Sequence, residues 1–198
     1  MGRAKIFGIG KPKTGSNSLT DALKRLGYSV YHSGRDVDDG NCKVNSQLMK
    51  NLREGCEALK GIPDDYDALL DYPIQKQFKK IYKEVPDAKF ILTFRPPDDV
   101  AFSWLRMINY KSRPINPYFP TNFKEFADEV RNHFTEVFHF FLDKPGSLLI
   151  LDTRDPDETK WKLLCDFLGE ELPEDISYPH SFDHKQWETT KRKLGENE

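Results

Sequence analysis

Cysteine is scarce: Cys42, Cys56 and Cys165 are odd in number, far apart, and without the paired spacing of a zinc site or a disulfide framework. Thiols without disulfides, and no structural metal, are expected. No apolar run approaches the length of a membrane span. The chain enters its first apolar segment without a hydrophobic signal core, so the sequence reads as soluble and cytoplasmic. A dominant sign of charge is also missing. The 30 basic and 32 acidic residues leave a net charge of −2, which gives no bulk attraction to nucleic acid or to an anionic membrane. Any basic site must be local.

What the sequence does have is an alternation of short apolar runs with helical periodicities, the pattern of a parallel sheet built from crossover units. Five strands are expected, near residues 5–9, 28–32, 68–71, 89–94 and 147–151. Leu48, Leu52, Cys56 and Leu59 mark one helix face, and Val100, Ala101, Trp104, Leu105 and Ile108 a second. Phe123, Phe126, Val130, Phe134, Val137, Phe138 and Phe141 recur at three- and four-residue steps and predict a long helix buried along one side. The last helix is expected to begin after Asp155-Pro156, a capping residue followed by proline at the first helical position. Residues 34–45 and 111–120 read as polar or proline-rich loops. At 198 residues one domain, 1–198, is expected.

The chemistry is concentrated between the first strand and the first helix. Gly10-Lys11-Pro12-Lys13-Thr14-Gly15-Ser16-Asn17-Ser18 forms a glycine-bounded turn, and Leu19, Ala22, Leu23 and Leu26 carry helical spacing after it. Backbone N–H groups at a helix start lack intrahelical partners and sit at the positive end of the macrodipole, which suits a phosphate or sulfate. Ser16, Asn17 and Ser18 add side-chain donors, and Lys11 and Lys13 add charge. Gly10 and Gly15 are spaced as in a nucleotide-binding loop, but Ser16 stands where the Walker lysine would follow the second glycine.

In open parallel sheets ligands bind outside the carboxyl ends of the strands. Those positions hold Lys13, His32, Asp71 and Arg95, with Ser103 about two turns into the helix after Arg95. Arginine offers a planar fork to a phosphate. Asp71 in Leu69-Leu70-Asp71-Tyr72-Pro73 reads as a general base, as a helix cap, or as a magnesium-holding aspartate of a phosphotransferase. His32 is the alternative base. His133, His139, His180 and His184 read as structural or solvated.

Pro12-Lys13-Thr14-Gly15-Ser16 resembles the 5′-phosphosulfate loop of the sulfotransferases that use 3′-phosphoadenosine 5′-phosphosulfate, in the subfamily whose loop reads Pro-Lys-Thr-Gly. Phe94 to Ser103 is similar to that family's 3′-phosphate segment, and the Asp-x-Pro at Asp71 is similar to the strand end that supplies its base. Leu148 to Asp152, the Trp161 to Gly169 helix and the Tyr178-Pro179-His180 turn extend the likeness to nearly the whole chain. One departure is the missing C-terminal Gly-x-x-Gly-x-x-Lys segment, for which Lys191, Arg192 and Lys193 are a possible substitute.

The resemblance implies a three-layer α/β/α, P-loop NTPase-like fold with a C-terminal tail, 172–198, packing on or near the cofactor site. It implies sulfuryl transfer to an acceptor hydroxyl on a small molecule or glycan, releasing adenosine 3′,5′-bisphosphate without a metal. Lys13, Asp71 and His32 are then the catalytic candidates. Lys11, Lys13, Thr14, Gly15, Ser16, Asn17, Ser18, Arg95 and Ser103 are the candidates for binding the donor. Two rivals are a nucleotide kinase-like phosphotransferase, against which the missing Gly-Lys-[Ser/Thr] counts, and a non-catalytic nucleotide-binding module. Trp104, Met107, Tyr110, Tyr118 and Phe119 are candidates for lining an acceptor pocket.

Overall fold

Strands β1 (Ile6–Gly8), β2 (Val30–His32), β3 (Ala68–Leu70), β4 (Lys89–Phe94) and β5 (Leu148–Asp152) form one parallel sheet in the order β2-β3-β1-β4-β5. The computed structural model describes residues 3–38, 40–111, 122–175 and 177–181. Helices α1 (Ser16–Arg25), α2 (Ser33–Asp38), α3 (Cys42–Glu54), α4 (Phe78–Glu84), α5 (Pro97–Lys111), α6 (Phe123–Phe141) and α7 (Asp157–Leu168) supply the crossovers, with a 3-10 turn at Ile74–Lys76. Parallel strands need such crossovers, and these cover both faces of the sheet to give three layers.

The layering follows from alternation along the central strands. Phe7, Phe90 and Leu92 point to one side, where they pack with Leu48 of α3, Phe78 of α4, Trp104 of α5 and the Phe126, Val130, Phe134, Val137 and Phe141 stripe of α6. Ile6, Ile91, Ala68 and Leu70 point to the other side, against Leu19 and Leu23 of α1 and Trp161 and Leu164 of α7. Burial on both faces is why these strands read as continuous apolar runs.

The register fixes the rim on which a site can be built. His32 lies opposite Leu70, Leu70 opposite Gly8, and Gly8 opposite Ile91. The residues that follow β1, β2 and β3 therefore emerge side by side.

The expected strands are present with ends moved by at most two residues. Residues 34–45, expected as a loop, instead hold most of α2 and the start of α3, because Val44 and Leu48 give α3 a buried face that starts before the Leu48 to Leu59 periodicity. The last helix starts at Asp157 with Pro156 as its N-cap residue, so neither Asp155 nor Pro156 holds the expected position. On α6, Phe123 and Phe138 are exposed, which narrows the buried stripe. Residues 112–121 and 182–198 lie outside the described residues, and with them Tyr118, Phe119, His184, Lys191, Arg192 and Lys193. No described helix is long and apolar enough to cross a membrane.

Candidate active site

The turn from β1 into α1 is tied down from both ends. Ile9 N–H donates to the Ile91 carbonyl at 2.9 Å, and Thr14 N–H to the Lys11 carbonyl at 3.2 Å. The Thr14 hydroxyl also donates to the Lys11 carbonyl at 2.6 Å and lies 2.7 Å from the Thr93 hydroxyl on β4. A hydroxyl has one proton, so the Thr93 O–H is the donor in that second bond. A side chain on Gly10 is excluded, since its Cβ would lie 2.0 Å from Thr93 Oγ1 and 2.6 Å from Thr14 Oγ1.

Gly15 caps α1 with φ 102°, and Lys13 holds a left-handed φ of 73° that non-glycine residues seldom adopt. The first turn of α1 contains no acidic residue. The N–H groups of Ser16, Asn17 and Ser18 thus form an electropositive helix start. Lys13, half-buried, stands just before it.

His32 and Asp71 emerge next to this turn from β2 and β3. His32 is 3% exposed. Its Nε2 lies 3.0 Å from Ser16 Oγ, and its Nδ1 accepts the Arg35 N–H at 3.3 Å. The proton of the neutral ring is therefore on Nε2, directed at Ser16. Burial pushes the His32 pKa below its ordinary value, outweighing the Asp71 carboxylate 3.7 Å from Nδ1.

Asp71 is the second residue near the turn with a left-handed φ, 75°. Its carbonyl accepts the Ile74 N–H at 2.8 Å, which starts the 3-10 turn, so the backbone rather than a side-chain cap organises that segment. Its Oδ2 lies so near α2 that a Cβ on Gly34 would come within 2.8 Å. Its Oδ1 is buried and has no hydrogen-bond partner, as are Asn17 Oδ1 and Ser33 Oγ. Buried polar atoms without a partner call for a water, an ion or a ligand, and Gln75, Gln77, Trp161 and Tyr178 carry such atoms as well.

Arg95 follows β4 directly, and Ser103 lies on α5; both are half-exposed. On the other side of the turn, Gly15, Ser18, Thr93, Thr153, Lys160, Tyr178, Pro179 and His180 line a cavity of about 40 Å³. Ser181 closes over the same helix, its hydroxyl donating to Asp21 and its N–H to Ser18 Oγ at 3.4 Å.

Lys11, expected among the donor-binding residues, is 1% exposed, and its ammonium donates to Glu129 on α6. His133, expected to be structural, lies 2.7 Å from the Ile9 carbonyl, to which its Nε2–H donates, and burial lowers its pKa to about 4. Glu129 escaped the sequence reading. The available signal was a carboxylate beside the apolar stripe of α6, one turn before a buried histidine. Among the described residues no group of three or more His, Cys, Asp and Glu side chains is arranged to hold a metal ion.

A parallel three-layer sheet whose first strand runs through a glycine-bounded turn into a helix is a P-loop-like fold, here with its lysine ahead of the second glycine. The family model for the sulfotransferase domain matches residues 5–148, and the chain belongs to that family. Solved structures agree on the fold. A sulfotransferase from Alicyclobacillus acidocaldarius superposes with a TM-score of 0.52 at 18% identity, over 98% of this chain and 92% of that one. The sulfotransferase domain of the Synechococcus PCC 7002 olefin synthase gives 0.53 at 16%, over 91% and 78%. The sulfotransferase domain from the curacin biosynthetic pathway gives 0.51 at 16%, over 91% and 79%. No curated protein matches the sequence.

Proposed function

We propose that the chain transfers a sulfuryl group from 3′-phosphoadenosine 5′-phosphosulfate to an acceptor hydroxyl on a small molecule or glycan, leaving adenosine 3′,5′-bisphosphate. The observation that carries the reading is the juxtaposition of an anion-receiving helix start with Asp71, whose Oδ1 lacks a partner. The residues fit a phosphosulfate: the loop is closed to side chains at Gly10, free of acidic residues in the first helical turn, and carries Lys13. When bound, that donor supplies an electrophilic sulfur and a phosphate leaving group.

The chain's own groups then have distinct tasks. Asp71 accepts the hydroxyl proton as the acceptor oxygen bonds to sulfur. Lys13 and the N–H groups of Ser16 to Ser18 hold the charge that grows on the 5′-phosphate as its bond to sulfur breaks. Arg95 and Ser103 hold the 3′-phosphate. His32 is the weaker base because burial lowers its basicity and both nitrogens are engaged, one by the Arg35 N–H and the other by Ser16. Its task is to orient the Ser16 hydroxyl.

Calorimetric titration with adenosine 3′,5′-bisphosphate, beside ATP with magnesium, tests the reading. Micromolar or tighter binding of the bisphosphate that weakens at least tenfold in Arg95→Ala supports it. Binding of ATP and magnesium alone replaces it with a phosphotransferase.

A further inference from the structure

A buried ammonium persists only where a carboxylate and hydrogen bonds replace the water it has lost. Lys11 meets that condition through one partner, Glu129. The same Glu129 oxygen accepts from Lys76 Nζ at 3.2 Å, and Lys76 closes the 3-10 turn that begins three residues after Asp71. One turn along α6, His133 holds the Ile9 carbonyl. The helix therefore grips the anion turn at Ile9 and again at Lys11. Fixing Lys11 also fixes the carbonyl to which both the amide and the hydroxyl of Thr14 donate.

The charges facing Lys11 come from two elements, Glu129 and His133 on α6 and Lys76 on the 3-10 turn. Burial lowers the Lys11 pKa to about 8 in spite of Glu129. Burial works to raise the Glu129 pKa as well, and the two ammoniums outweigh it and hold the carboxyl low.

We propose that Glu129 is a positioning residue for sulfuryl transfer: through Lys11 it sets the anion turn, through Lys76 it sets the Asp71 segment, and it thereby fixes the spacing between the two. Its effect on transfer rests on the function proposed above. Its hold on the two segments does not.

Removing one member of a buried pair leaves the other unpaired, whereas removing both is far milder. Three variants use that asymmetry: Glu129→Gln, the double variant Lys11→Met with Glu129→Gln, and Lys76→Met at an exposed position. Amide hydrogen exchange of the ligand-free protein is followed at residues 10–18 and 71–76, with β5 and α7 as internal references, and bisphosphate binding is titrated in parallel. In Glu129→Gln, exchange at both segments rises tenfold or more against unchanged references, and binding weakens about tenfold. The double variant recovers most of both losses, and Lys76→Met loosens 71–76 alone.

Unchanged exchange at 10–18 in Glu129→Gln, or a rise shared equally by β5 and α7, overturns the proposal. If Glu129→Gln does not fold, Lys76→Met decides, since unchanged exchange at 71–76 overturns the bridge. A wild type that ignores the bisphosphate but shows the expected exchange pattern discards the sulfotransferase reading and keeps Glu129 as the clamp on the turn.

Discussion

Thr14 and Thr93 join the turn between β1 and α1 to β4, the neighbour of the central strand β1, through a buried hydroxyl pair 2.7 Å apart, and Gly10 lies where any side chain would break that pair. The turn's shape is thus set by a non-local contact as well as by its own glycines. The packing has a direct mutational consequence.

Gly10→Ala is expected to destabilise the fold by about 1–3 kcal/mol, the usual range for overpacking a tight site, and to weaken bisphosphate binding more than tenfold. Urea denaturation and calorimetry measure the two effects. Thr93→Ala in the same chain removes the nearest clash and should recover part of the stability; no recovery would place the strain elsewhere.

Lys13→Ala should lower turnover by about 100-fold or more while changing bisphosphate affinity much less, because its charge is needed most where negative charge develops. Steady-state kinetics with a competent acceptor, beside calorimetry, separate the two. Near-wild-type turnover removes Lys13 from the transition state.

Asp71→Asn keeps the shape of the side chain but cannot accept a proton. Transfer is expected to fall by about 100-fold to 10,000-fold, the range of general base catalysis, with bisphosphate affinity within threefold of wild type. His32→Asn is expected to cause a smaller loss by releasing Ser16. If the two losses are reversed in size, His32 is the base.

Acid should unfold the protein partly through His133. Burial lowers its pKa from 6.5 to about 4. The unfolded chain binds a proton below its own pKa that the folded state refuses until about 4, so this contribution is present above 6.5 and is lost as the pH falls through that window. The loss is about 3 kcal/mol at most, and His32, whose pKa is also lowered, adds in the same direction. Denaturation curves at pH 7, 5 and 4 should show a smaller decline in His133→Gln than in wild type. Parallel declines would exclude His133 as a source.

Burial decided what was legible in the sequence. β4 is buried on both faces, and its bounds follow from the apolar run alone. The long α6 could be read from its aromatic repeat, and the turn from β1 into α1 from its glycines. Gly34 and Gly40, with the charged residues between them, suggested a loop where α2 lies and α3 soon begins, since short polar helices leave no periodicity to count. The direction of Lys11 was beyond reach for a different reason. Its partner Glu129 is 118 residues away, and only the folded sheet brings them together.

Lys13 and Asp71 both hold a left-handed backbone conformation in which glycine is at ease and a charged residue is not. Each such residue costs on the order of 1–3 kcal/mol relative to an unstrained site. Glycine at either position would relax the chain and erase the side chain to which the proposed function assigns the chemistry. A protein engineered for thermal endurance alone would drift towards that exchange, so under the proposed function stability and catalysis pull in opposite directions at these two positions.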